Sequence, residues 1–312
     1  MQEVSRIIQG GQPRDIKDRK SRALLQTSVN RIHTGEDLAL KFAAEIAAFP
    51  NVWEWIRARI RVGNFEDINV GDFVEFTAGG NTIVSEVAGI NTYTRYGWPS
   101  EHEVGNHIDF ISRDLWPEPV QWNLVDYNNG LASMPSPYLV SNVYALLNSL
   151  QTNVPNGTGA NPATVGVDYR TTGILALLPA ALRNVIVPKV AIIERRHTAG
   201  ILLLEDNSWG WYDLGQLWLP SEVEICGTNM WSTTITQHNG RSSSGFVQYP
   251  IFAGSMKRIK GAGHNGGRAG WWLCTVAGGW STRVAIVTGV GAPDTTFATR
   301  TGIYVPICFR IA

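Results

Sequence analysis

The chain has little cysteine and little charge. Cys226, Cys274 and Cys308 are an odd count with no CxxC spacing. That excludes a disulfide framework and a zinc site of ordinary ligand spacing, and predicts buried free thiols in a reducing compartment. Charged residues make up 17% and cancel, with 26 basic and 26 acidic side chains. A chain without net charge lacks the electrostatic footprint of a nucleic-acid binder. No apolar run reaches the roughly 18 residues of a membrane span, so no membrane insertion is expected. Met1-Gln2-Glu3-Val4 lacks the apolar stretch of a signal peptide, which predicts synthesis in a cytoplasm.

Signatures of catalysis and cofactor binding are missing too. There is no HExxH, GxSxG, P-loop or EF-hand loop. The histidines at 33, 102, 107, 197, 238 and 264 never pair at metal-ligand spacing. His102-Glu103 and His107-Ile108-Asp109 come nearest and read as loop polarity. Gly261 to Gly266 imitates a GxGxxG but opens no helix, so it lacks phosphate-cradling geometry. No catalytic residue, metal or cofactor is expected.

What the chain has is glycine and tryptophan, 32 and 12 of 312 residues. Many Gly and Trp with few charges exclude a coiled coil, a disordered chain and a helical bundle. They favour strands and long loops on aromatic anchors. Trp218, Trp271 and Trp272 lie in apolar runs and read as core. Trp280, within Gly278-Gly279-Trp280-Ser281, reads as exposed. Charge is unevenly spread: about +4 over 1–35, −11 over 36–239 and +7 over 240–312. The basic C-terminal third therefore meets acids of its own chain or an anionic partner.

Periodicity places the elements. Thr34 to Asp37 is a capping-box pattern, followed by Leu38, Phe42 and Ile46 at helical spacing. Pro50 breaks the run, and Trp53, Ile56 and Ile60 resume it. Two strands over 70–90 flank a turn at Gly79-Gly80, and 107–112 is a third strand. Ser136-Pro137 reads as the start of a helix carrying Leu139 to Leu150. The Asn-, Gly- and Thr-rich stretch 151–172 reads as a loop. Ile174 to Ile186 reads as a helix broken at Pro179. Strands are expected at 190–193 and 201–204. Ser221 to Glu224 is a second capping box, and 226–312 carries strands joined by irregular loops.

The last third resembles a known family. Its residues are Leu219-Pro220-Ser221-Glu222-Val223-Glu224, Tyr249-Pro250-Ile251-Phe252 with Lys257-Arg258-Ile259, Gly270-Trp271-Trp272-Leu273, Ala285-Ile286-Val287, and Gly302 to Ile311. In order and spacing they are similar to the C-type-lectin-like domains, related to the formylglycine-generating-enzyme fold, of phage tail and bacterial surface proteins. Phage major tropism determinants belong to that group. Upstream, Pro137 to Asn148 resembles a helix of the same family. Cys274-Thr275 stands where the family has Arg-Ser, and Tyr304-Val305 where it has Val-Arg, so no role of those arginines transfers. The calcium loop of sugar-binding lectins is absent.

The resemblance implies an α+β fold of antiparallel strands, two core helices and long C-terminal loops. Residues 1–62 would be an N-terminal helical arm for attachment and oligomerisation, and 63–312 the lectin-like domain. It implies a homo-oligomeric virion protein at a phage tail tip or fibre, binding a bacterial surface polysaccharide or protein receptor without catalysis. Other virion proteins would hold residues 1–60. The receptor-binding residues expected are Trp280, Arg283, Asp294, Phe297 and Arg300, in the interval 274–301. The alternative is a structural virion component, a decoration, collar or baseplate protein. An enzymatic relative is the third reading, to which Cys274 and Cys308 invite comparison.

Overall fold

A computed structural model describes residues 6–9, 12–15, 35–94, 104–159, 161–198, 201–202, 209–232 and 247–312. Thr34, His33, His102-Glu103, His238 and Leu203-Leu204, together with residues 1–5, 10–11 and 16–32 of the expected arm, lie outside them. The chain divides into two units, Met1–Gly35 and Glu36–Ala312. In the first, strand β1 (Arg6–Gln9) pairs antiparallel with β2 (Gln12–Asp15).

The second unit mixes helix and sheet, with mostly antiparallel strands and few helices. It opens with short helices Leu38–Lys41 and Ala43–Ile46 and the longer Val52–Arg61. The first cap is Asp37, whose carboxylate accepts from Ala39 N, and not Thr34 as the sequence pattern suggested. Asn51 caps the third by accepting from Trp53 N and Glu54 N, which allows a restart directly after Pro50. β3 (Phe73–Ala78) and β4 (Asn81–Ile90) form the expected hairpin. β5 is Ile108–Ser112.

Two expectations fail downstream. The helix expected from Ser136-Pro137 begins instead at Asn142 and ends at Leu147. Ser141 is its cap, with Oγ accepting from Tyr144 N at 3.2 Å. The stretch expected as a loop is a hairpin of β6 (Gln151–Pro155) and β7 (Thr164–Asp168). Thr152, Val154, Val165 and Val167 supply β-branched residues, but both strands are largely exposed. The apolar-polar alternation that marks a half-buried strand is therefore weak here.

Helices Ile174–Leu177 and Ala180–Arg183 are separated at Pro179, as expected. Short strands follow: β8 (Ile186–Val187), β9 (Val190–Glu194), β10 (His197–Thr198), β11 (Ile201–Leu202) and β12 (Trp209–Asp213). Helix Glu222–Cys226 carries the expected capping box, Ser221 and Glu224 each satisfying the other's main chain. The final strands are β13 (Lys260–Gly261), β14 (Arg268–Val276), β15 (Arg283–Val287), β16 (Pro293–Phe297), β17 (Ile303–Tyr304) and β18 (Cys308–Ile311).

Two five-stranded sheets organise the unit. One runs β3-β4-β5-β18-β8 and curls into a half-barrel. It joins the last strand to an early one, Cys308 opposite Ile111 and Ile311 opposite Ile108. Helix Val52–Arg61, inside the segment expected to be the arm, belongs to this core. Trp53 stands edge-on against Phe76, Phe110 and Phe309 at 5.7, 6.1 and 5.8 Å, a geometry favoured by ring quadrupoles.

The other sheet runs β13-β14-β15-β16, with β17 parallel to β14. Trp271, Trp272 and Leu273 on β14 are fully buried. Their indole N–H groups are satisfied by loops: Trp271 donates to Arg258 O at 3.0 Å and Trp272 to Val120 O at 2.6 Å. Trp122 donates back to Leu273 O at 3.3 Å. Trp122, Trp271 and Trp272 thus fill space and also pin irregular backbone.

Candidate functional site

The β14–β15 turn and the end of β16 meet at one edge of the second sheet. Arg283 opens β15 directly opposite Phe297 on β16, so both side chains share a face. Trp280 sits in the turn before Arg283, after Gly279 at φ 75°. The Arg283 guanidinium lies 4.7 Å from the Phe297 ring centre and 5.5 Å from that of Trp280. Trp280 and Phe297 remain 46% and 44% exposed. Among the described residues no carboxylate lies within ion-pair distance of Arg283. The result is a cation held against two aromatic faces that stay open to solvent. Each cation–π contact at such a site contributes about 0.5–1 kcal/mol.

Of the five residues expected to bind, the structure brings Trp280, Arg283 and Phe297 together. Arg300 is next to them in chain and exposed, its N–H donating to Phe297 O at 2.9 Å. Asp294 is not part of the stack. It stands near the opposite end of β16, across from Ile286, and its carboxylate accepts from Thr295 N at 2.7 Å. Sequence reasoning missed two residues beneath the turn, Asn128 and Arg196, both fully buried. Asn128-Asn129-Gly130 has the composition of any turn, and no spacing links 128 or 196 to 280.

Part of the C-terminal surplus of positive charge is answered from within. Lys257 pairs with Glu86 at 2.7 Å. Arg310 grips Asp109 through Nε at 2.7 Å and Nη2 at 2.8 Å. Lys260 is buried and donates to Arg113 O at 3.2 Å and also to Ser112 O. Burial pushes its ammonium down to about 8. Arg268 and Arg300 stay exposed.

A second polar group is wholly internal. His107-Ile108-Asp109, whose polar groups were expected to be plain polarity, runs into β5 with every side chain buried. His107 Nε2 accepts from Tyr93 N at 3.1 Å, and Nδ1 faces Gly105 O at 2.8 Å. Burial disfavours the imidazolium and lowers the His107 pKa, against the pull of Asp109. Asp109 also accepts from the Tyr249 hydroxyl at 3.0 Å. Burial opposes its charge, but Arg310 outweighs that and holds the carboxyl below its ordinary range. Lys189 donates to Tyr249 Oη at 3.0 Å and to Glu224, which also accepts from Tyr93. These bonds tie β5, β18, the segment before β9 and helix Glu222–Cys226 into one interior network. Its groups are consumed by each other and shut off from solvent.

Cys274 and Cys308 lie on β14 and β18, 7% and 3% exposed. Burial pushes both thiols well up, so they stay protonated and poorly nucleophilic. The glycines of 261–266 make a tight turn between β13 and β14. A Cβ on Gly266 would lie 1.8 Å from Ala262 O. That steric need accounts for the imitation of a nucleotide motif. Among the described residues no three His, Cys, Asp or Glu side chains are grouped to hold a metal ion, and no helix is long and apolar enough to cross a membrane. No protein-family model matches the chain, and neither does any curated protein or solved structure.

Proposed function

We propose that this chain is a phage virion protein, at a tail tip or fibre, that binds a bacterial surface polysaccharide or protein receptor and catalyses no reaction. The observation that carries the reading is the solvent-open stack of Trp280, Arg283 and Phe297. Aromatic faces take up the apolar faces of sugars, and a guanidinium without a carboxylate partner suits a phosphate or carboxylate. Trp and Arg are the side chains that most often carry binding energy at interfaces. Presentation by a homo-oligomer would multiply weak contacts into avid ones.

The test uses intact particles and the purified full chain. Immunogold labelling with antibodies against residues 240–312 should mark the tail tip and block adsorption. The purified chain should compete with particles for cells, and Trp280→Ala with Arg283→Ala should abolish competition while leaving the fold intact. Labelling on the head or shaft without effect on adsorption would overturn the proposal in favour of a decoration, collar or baseplate component.

A further inference from the structure

We propose that Asn128 and Arg196 are positioning residues for the 280–283 turn, holding its main chain in one geometry before any ligand arrives. The purpose of the device rests on the binding role proposed above; its existence is tested without a ligand.

The argument is an inventory of carbonyls. Trp280 O accepts from Asn128 Nδ2 at 2.7 Å and from Arg196 Nη1 at 3.2 Å. Ser281 O accepts from Asn128 N at 2.8 Å. Thr282 O accepts from Ala298 N at 2.9 Å. Arg283 O accepts from Ala277 N at 3.1 Å and from Asn128 Nδ2 at 2.5 Å. Four consecutive carbonyls of an exposed turn are therefore all taken. Most turns of this kind leave such groups to water. Asn128 alone supplies three of the bonds, and Arg196 reaches in from the end of β9.

The two anchors are themselves fixed. Arg196 Nε donates to Glu194 Oε1 at 2.7 Å, and Arg196 N donates to Pro135 O at 2.9 Å. Both side chains are fully buried, so bulk solvent does not compete for the donors they aim at the turn. None of these bonds ends on a side chain of the turn. Trp280 and Arg283 are left to face outward while their backbone is clamped from below. A turn ordered in the free protein has little conformational freedom left to lose on binding, which raises affinity without adding a contact.

The experiment is backbone ¹⁵N relaxation on the free full-length protein, wild type against Asn128→Ala, Arg196→Ala, Arg196→Lys and Trp280→Ala. In the wild type and in Trp280→Ala, order parameters at 279–283 should stand near the rigid value of about 0.85. In Asn128→Ala and Arg196→Ala they should fall below about 0.6 at those positions, with the amides of β14 and of residues 284–287 in β15 unchanged. Arg196→Lys, which keeps one donor for Trp280 O, should fall less than Arg196→Ala. A wild-type turn already below about 0.6, or anchor variants that leave it rigid, would overturn the inference. So would a uniform loosening of the whole sheet, since that marks a merely structural role. If Asn128→Ala does not fold, the paired Arg196 variants decide. Should the turn behave as described while the chain competes with no particle, the receptor reading falls and the positioning stands.

Discussion

Breaking the buried pair of Asp109 and Arg310 should be the most damaging conservative change in the chain. The guanidinium makes two charge-assisted bonds to the carboxylate, with side-chain exposures of 3% and 1%. Asp109→Asn leaves a buried cation without its counter-charge, and Arg310→Met leaves a buried anion. Each should cost about 3–5 kcal/mol. That is a third or more of the roughly 5–15 kcal/mol that holds a domain folded. Removing both charges at once is a different perturbation. In Asp109→Leu with Arg310→Met no buried ion is left over, and Tyr249 Oη still accepts from Lys189. The double change should cost about 1–2 kcal/mol, the scale of the hydrogen bonds lost. The coupling across the cycle should then be at least ~4 kcal/mol. Urea unfolding at pH 7, with slopes compared as well as midpoints, measures all three variants. Single changes below about 1 kcal/mol, or a double change equal to the sum of the singles, would refute the argument that this pair carries mutual desolvation. The sign with pH follows from the depressed Asp109 pKa. Its contribution is complete above the unfolded carboxyl's ordinary value of 3.8 and is lost as pH falls through the lower folded value.

Other outcomes follow from the same geometry. Lys260 titrates near 8 in the fold against 10.5 when unfolded, so the unfolded chain binds more protons between those values. The wild type should therefore gain stability relative to Lys260→Met between pH 8 and 10, on the order of 3 kcal/mol across the full shift, read by urea unfolding across that range. Ser221→Ala removes the cap that accepts from Glu224 N at 3.2 Å and should cost about 1 kcal/mol in unfolding free energy. Gly130→Ala would set a Cβ 2.2 Å from Pro135 O, and its thermal midpoint should fall by several degrees. The buried Asn129 amide, Ser136 Oγ and Arg196 Nη2 have no partner among the described residues, so a high-resolution crystal structure should show ordered water against them.

The sequence by itself determined the elements whose signal is local. Ser221 starts a helix because its side-chain oxygen accepts from an N–H three residues on, in the capping box with Glu224. Gly79-Gly80 turns the first hairpin because both residues adopt positive φ. The apolar run of Trp271 to Leu273 reads as core and Trp280 among glycines as exposed, and the structure agrees on both. Tertiary structure decided whatever depended on a distant partner. Ser141 caps the helix that Ser136-Pro137 seemed to open, because residues 136–141 are already committed to neighbours such as Tyr138, whose hydroxyl accepts from Leu219 N. The 151–168 ribbon exists through cross-strand main-chain bonds that leave little hydrophobic trace. The His107 and Asp109 side chains on the expected strand read as plain polarity because Arg310, which makes the burial of Asp109 tolerable, lies 201 residues further on. The same holds at the candidate site. Trp280, Arg283 and Phe297 were legible as residue types, but their stacking depends on the β15–β16 register. Asn128 and Arg196 were not legible at all, since a donor to a main-chain carbonyl leaves no mark on the sequence of the loop it holds.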